Sequence, residues 1–206
     1  MKQGRFITLE GGEGTGKSTL SRGLAEALRA RGLEVVVTRE PGGAPGADAI
    51  RALLVSGDAN RWSAMEEALL FAAARLNHLN HLIRPALARG AWVVCDRYYD
   101  STRAYQIAAG GLELRNLLEL NTLIEAPRPD RTLILDLDPA IGLARSRGHE
   151  VDEDRFEKKD MNFHEEVRAE FLKIARTEPD RCSLIDATQP AAKVLQTALT
   201  QLEPLL

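Results

Sequence analysis

The segment Gly11-Gly12-Glu13-Gly14-Thr15-Gly16-Lys17-Ser18 fits the pattern G-x-x-x-x-G-K-[ST]. It stands between a β-rich run, Phe6–Glu10, and an amphipathic helical pattern led by Leu20. A strand, a glycine turn and a helix in that order leave the chain little freedom. Glycines let successive backbone N–H groups converge on phosphate oxygens, and the following helix points its positive end at the same place. Lys17 is expected to reach the β- and γ-phosphates of a nucleotide, and Ser18 to offer a hydroxyl to Mg²⁺. Gly11, Gly12, Glu13, Gly14, Thr15, Gly16 and Thr19 complete the nucleotide-binding segment. No Asn-Lys-x-Asp motif accompanies it, which argues against a GTPase switch and leaves an ATP-driven enzyme or regulatory protein.

Strand and helix patterns alternate along the rest of the chain. β-rich runs are Phe6–Glu10, Leu33–Thr38, Ala91–Asp96, Thr132–Leu137 and Cys182–Asp186. Several are continuously apolar, as strands covered on both faces are. Leu20, Leu24, Ala27 and Leu28 share one helical face before a stop at Gly32. A long pattern from Ser63 to Arg89 carries Leu69, Leu70, Ala73, Leu76 and Leu79, with a break expected near Pro85. Leu112–Glu125, Asn162–Arg176 and Pro190–Leu202 complete the helices. The alternation predicts a mostly parallel α/β sheet with helices on both faces. With 206 residues, no internal repeat and no Pro-, Gly- or Ser-rich linker, one domain over 1–206 is expected.

Composition excludes other classes. The 27 Lys+Arg oppose 30 Asp+Glu, so the broad cationic surface that non-specific nucleic-acid binding needs is not expected. Cys95 and Cys182 lie far apart in no metal-binding spacing, which points to a reducing cytoplasm, with Cys95 as a small buried hydrophobe. No apolar run is long enough to cross a membrane, and the N-terminus does not read as a leader peptide.

A second set of residues falls at strand ends. Asp96 closes an apolar strand and suits water-mediated support of Mg²⁺ beside Ser18. Arg97 follows it, and Arg39 leaves the strand before it. Each could be a surface ion pair, yet their shared edge suits a second phosphate group. Asp96-Arg97-Tyr98-Tyr99-Asp100-Ser101-Thr102-Arg103-Ala104-Tyr105-Gln106 resembles the thymidylate kinase signature D-R-Y-x-x-S-x-x-A-Y-Q at every fixed position. Thr38–Gly43 resembles that family's T-R-E-P-G-G segment, and Phe71–Arg75 its F-x-A-x-R helix. Arg128-Pro129-Asp130 and Ile185–Thr188 also fit, so the resemblance spans essentially the whole chain.

The resemblance implies a P-loop nucleoside monophosphate kinase-like α/β/α fold on a five-stranded parallel sheet. It implies ATP-dependent phosphorylation of dTMP to dTDP with Mg²⁺, in a homodimer built on packed helices. Phe71 would then stack on thymine and Arg75 would bond its carbonyl edge, with Thr102 and Gln106 near the base. Tyr105 would crowd the 2′ position, Glu13 would meet the 3′-hydroxyl, and Arg39 and Arg97 would hold the acceptor phosphate. From the residues alone, Phe71 reads as core, and Tyr105 reads equally as a packed aromatic. His78 and His81 read as an exposed helix face rather than a metal pair. Another nucleoside or nucleotide kinase of the same fold is the neighbouring reading, and whether Glu40–Pro41 is cis stays open.

The chemistry needs no dedicated base, because a phosphate monoester is already largely ionised at neutral pH. It needs cations to bring two polyanions together. The polar segment Gly148–Asp160 reads as a solvated loop or as part of a lid over about 145–160. The resemblance makes Arg155 and then Arg147 the lid arginines that close over ATP, with Arg145 open as a solvated helix residue. Arg155→Ala is accordingly expected to lower kcat more than it raises the KM for dTMP. Lys17, Arg39, Arg75, Arg97, Arg147 and Arg155 are all expected in one cleft.

Overall fold

In the computed structural model, residues 4–58, 60–108, 110, 112–146 and 155–206 are described. The five β-rich runs form strands β1 (Arg5–Glu10), β2 (Val35–Arg39), β3 (Trp92–Asp96), β4 (Arg131–Asp136) and β5 (Cys182–Asp186). They pair in parallel in the order β2-β3-β1-β4-β5. The chain winds away from β1 in both directions, which opens a crevice at the carboxyl ends of the central strands.

The helices are α1 (Lys17–Ala30), α2 (Pro45–Val55), α3 (Ala64–His78), α4 (Arg84–Ala88), α5 (Tyr99–Ala108), α6 (Leu114–Leu123), α7 (Pro139–Ser146), α8 (Met161–Thr177) and α9 (Ala191–Leu202). Strand alternation sorts the core. Ile7, Leu9, Val94, Leu133 and Leu135 pack with Leu20, Leu24 and Leu28 of α1 and Val194, Ala198 and Leu202 of α9. Phe6, Val93 and Cys95 face the other side, against Leu79, Ile83, Ala86 and Tyr98. Ile134 on that side meets Phe163, Val167 and Phe171 of α8.

Local sequence explains where α3 begins and breaks. Ser63 Oγ accepts from the Glu66 amide at 3.3 Å while Glu66 Oε2 accepts from the Ser63 amide at 2.8 Å, a reciprocal cap. The expected break is a turn of π-helix over Leu79–Ile83, directly before Pro85 in the first turn of α4. A proline there lacks the N–H and crowds the carbonyl four residues back, so the turn widens. The apolar pattern of α3 is only partly inward. Leu79 is buried, but Leu69 and Leu76 are 50% and 37% exposed and Ala73 faces out with them.

Three helices escape the periodicity. In α5 the buried positions include Asp100, Ser101, Thr102 and Gln106, which carry no apolar signal. In α2 only Ala47, Leu54 and Val55 are buried, and α7 has eight residues with Gly142 inside. What holds α5 is polar. Asp100 takes both ends of the Arg181 guanidinium at 2.7 and 2.8 Å, and Arg181 also donates to Thr132 Oγ1 on β4.

Candidate active site

β1 ends on Glu10, and the chain crosses Gly11–Gly16 into α1 at the carboxyl edge of the sheet. The loop lies hard against α7. Gly14 has φ +62°, and a Cβ there would sit 1.9 Å from the Gly142 carbonyl oxygen, so only glycine fits. Lys17 is buried and folds back over the loop. Its Nζ donates to the carbonyls of Gly12 (2.7 Å) and Gly11 (3.1 Å) and to Thr15 Oγ1 (3.3 Å). Burial, and then the neighbouring Arg97, push its pKa down to about 8. Ser18 Oγ donates to Asp96 Oδ2 at 3.0 Å. A hydroxyl and a carboxylate side by side are the hard oxygen donors that suit Mg²⁺, an ion that takes few protein ligands beside phosphates.

Arg97 leaves β3 in the left-handed region, φ 66°, a strained conformation for a side chain of this size. Its guanidinium donates to the Gly11 carbonyl (2.9 Å), Ser101 Oγ (3.1 Å) and Glu13 Oε1 (2.9 Å), and lies 5.0 Å over the Tyr105 ring. Tyr105 also donates its hydroxyl to Glu13 Oε1, at 2.6 Å. Burial works against the Glu13 charge, but Arg97, Lys17 and the Tyr105 hydroxyl overcome it and hold the carboxyl down at about 2. Glu10, beneath this group, accepts from the Tyr98 amide and Ser101 Oγ and so fixes the start of α5. Burial and Asp100 raise its carboxyl to about 8.

Two cavities meet here. One runs along Glu13–Thr19 with Asp96, Arg97, Arg145, Ser146 and Glu157. The other is lined by Glu13, Glu40, Arg51, Phe71, Arg75, Arg97, Tyr98, Ser101, Thr102, Tyr105, Gln106, Phe156 and Glu157. Glu13, Arg97 and Glu157 belong to both. The second is the more closed, about 120 Å³, against about 820 Å³ for the open cleft that continues from Thr15 and Gly16 past Arg22 to Ala187–Ala192. Inside it Arg75 donates to Glu40 Oε2 (2.7 Å) and Thr102 Oγ1 (2.9 Å). Gln106 Oε1 and Tyr98 Oη are buried with no partner among the described residues, the usual mark of a place where water or a ligand bonds.

The structure thus gathers Glu13, Phe71, Arg75, Arg97, Thr102, Tyr105 and Gln106 around one cavity, and Gly14–Thr19 with Asp96 around the other. Phe71 is half-buried and lines the cavity rather than the core. Other expectations differ. Arg39 does not line the second cavity. Strand alternation turns Thr38 and Glu40 inward and leaves Arg39 exposed, in register with Asp96 on the opposite sheet face. Arg155 is not over the glycine loop. It is fully buried and donates to the Leu54 and Asp58 carbonyls and to Glu67, so the kcat-dominated effect expected of Arg155→Ala loses its basis. Arg145, by contrast, lines the loop's cavity. His78 is buried, bonding Thr38 Oγ1 (2.8 Å) and Glu40 Oε1 (3.1 Å), while His81 is exposed. Arg147 and most of the lid segment lie outside the described residues.

Sequence reasoning missed Arg51, Glu40 and Glu157 as lining residues. Arg51 sits on α2, whose only sequence signals are Pro45 in the first turn and Asp48 behind it. Glu40 belongs to the T-R-E-P-G-G segment, and its peptide bond to Pro41 is cis.

The family model described as thymidylate kinase matches residues 9–198. A thymidylate kinase of Caulobacter vibrioides is 55% identical over 190 residues, covering 91% of this chain and 90% of that protein. One of Rhizorhabdus wittichii is 51% identical over 206 residues, covering 98% and 99%. A crystal structure of thymidylate kinase from Ehrlichia chaffeensis superposes with a TM-score of 0.81 at 33% identity, over 98% of this chain and all of that one.

Proposed function

The chain belongs to the thymidylate kinase family and phosphorylates dTMP to dTDP with ATP, and we propose the roles of its residues and the state in which it works. The carrying observation is that the glycine-loop cavity and the aromatic cavity meet at Arg97 and Glu13. ATP lies along the loop, with its base in the open cleft beside Arg22 and Ala187–Ala192. Lys17 exchanges the Gly11 and Gly12 carbonyls for phosphate oxygens. Ser18, and Asp96 through water, would hold Mg²⁺, which when bound would supply positive charge beside the transferring phosphoryl group. On the acceptor side Phe71 stacks on thymine, Arg75 bonds its carbonyl edge, and Thr102 and Gln106 flank it. Tyr105 crowds the 2′ position and Glu13 takes the 3′-hydroxyl. Arg97 turns from Glu13 to the acceptor phosphate and aligns it for in-line attack, with Arg51 and exposed Arg39 as further cations at this edge.

A coupled assay of ADP release tests the reaction with a panel of monophosphates and nucleosides. Strong turnover with dTMP is expected, and indifference to every small acceptor would sink the reading.

Nucleotide binding also carries a proton signature. Lys17 titrates at about 8 in the free protein, and bound phosphates raise that value. Below about 8 the ammonium is present before and after binding, so affinity is insensitive to it. Above 8 binding must take up a proton, so ATP affinity falls as pH rises. Titration calorimetry at pH 9 in buffers of different ionisation enthalpy should show net proton uptake, and none at all would refute it.

We propose that the chain works as a homodimer in the cytoplasm. The two thiols, Cys95 and Cys182, are free and buried, as suits a reducing compartment. Met65, Leu69 and Leu76, 40%, 50% and 37% exposed, form with Ala73 an outward stripe at helical spacing on α3. Leu69→Glu should shift sedimentation from dimer to monomer. A wild-type protein that is already monomeric at tens of micromolar removes the dimer.

A further inference from the structure

Neither Glu67 nor Arg155 lines either cavity, yet together they reach the acceptor's base through one side chain. Gln106 Nε2 donates to Glu67 Oε2 at 2.7 Å, and Glu67 Oε1 accepts from Arg155. Arg155 in turn donates to the carbonyls of Leu54 and Asp58, both at 3.0 Å, at the end of α2. The group is dry: Gln106 and Arg155 are 0% exposed and Glu67 3%. An arginine only donates, so with Arg155 on one oxygen Glu67 stays an acceptor on the other. The Gln106 amide then has a single sense, nitrogen toward Glu67. Its Oε1 is left as a buried acceptor without a partner among the described residues, on a side chain that lines the acceptor cavity.

We propose that Glu67 and Arg155 are positioning residues that set which pyrimidine is accepted. They hold the Gln106 oxygen toward the ring nitrogen of the bound base. A ring N–H, as in thymine, completes the bond. A ring nitrogen bearing a lone pair, as in cytosine, leaves two acceptors facing each other in a dry site, and sites built on such a bond reject the mismatched ring strongly. The proposal rests on the dTMP reading above and deepens it.

Steady-state kinetics with dTMP and dCMP on the full chain test it, using wild type, Glu67→Gln, Gln106→Leu and the double variant. A glutamine at 67 can donate as well as accept, so the Gln106 amide gains its second sense. The KM for dTMP should rise roughly tenfold with kcat within about threefold. The ratio of kcat/KM for dTMP over dCMP should fall roughly tenfold. In the Gln106→Leu background the same change should leave the ratio where it is, because the two residues act as one unit. Arg155→Met removes the donor and strands the buried Glu67 carboxyl, which then takes a proton and can donate to Gln106, so it should move the ratio the same way. It carries the test if Glu67→Gln does not fold. An unchanged ratio in the folded variant overturns the proposal. So does an equal fall in the Gln106→Leu background, or a loss of kcat at constant ratio, which marks a merely structural pair. Wild type without dTMP turnover overturns the acceptor reading itself, so the two failures are distinguishable.

Discussion

Lys17→Met lowers kcat by roughly 10²- to 10⁴-fold, about 3–5 kcal/mol of transition-state stabilisation. The ammonium lies inside the loop, bonded to the Gly11 and Gly12 carbonyls, and on the proposed reading it meets charge that grows on the transferring group. Its folded-state pKa is lowered to about 8, chiefly by burial, so the free protein gains little stability from holding it charged. The variant should therefore fold with an unchanged or slightly higher Tm while losing turnover, and should lose part of the thermal shift that ATP gives the wild type. A kcat within tenfold of wild type in the coupled assay removes Lys17 from the reaction. The contrast with Arg155 is direct: both were nominated as catalytic cations, but only Lys17 sits in the loop's cavity.

The largest effect on stability is expected at Arg181. Its side chain and that of Asp100 are 2% and 1% exposed, joined by two hydrogen bonds. Arg181→Met leaves the carboxylate buried beneath the sheet edge without its partner. Breaking one side of such a pair costs about 3–5 kcal/mol. For a chain of this size that lowers Tm by roughly 6–20 °C. The double variant Asp100→Leu, Arg181→Met should recover most of the loss, because the buried carboxylate goes with its partner and Glu178, which also pairs with Arg181, keeps Arg103. A single-variant drop of under about 3 °C would show that water or another group reaches Asp100. The consequence is functional as well. Asp100 sits in the first turn of α5, one residue before Ser101, which bonds Arg97, so a loosened pair should also raise the KM for dTMP.

Periodicity located all five strands, because both sheet faces are covered and the strands are apolar almost throughout. It missed α5, the helix that brings Ser101, Thr102, Tyr105 and Gln106 to the second cavity, because α5 buries Asp100, Thr102 and Gln106 through hydrogen bonds rather than through an apolar stripe. It also left Leu69 and Leu76 unassigned between core and subunit contact, since an apolar stripe looks the same whether it meets the sheet or faces out.

The chain's sequence by itself determined the glycine loop, the parallel sheet and the set of side chains that gather at the carboxyl edge. Those follow from local chemistry: glycine where Gly142 approaches the loop, apolar runs where helices cover both faces, and a matched signature from Asp96 to Gln106. Only the tertiary structure decided where each cation lies. Arg39 and Glu40 are neighbours in sequence, but the strand's two-residue alternation sends one to solvent and the other to Arg75. Arg155 stands in a polar run that reads as solvated, yet three helix-end and carboxylate acceptors, brought together by α2 and α3, draw it fully inside. A guanidinium goes where its donors are satisfied, and those acceptors come from residues 88 to 101 positions away, beyond any window that sequence spacing can read.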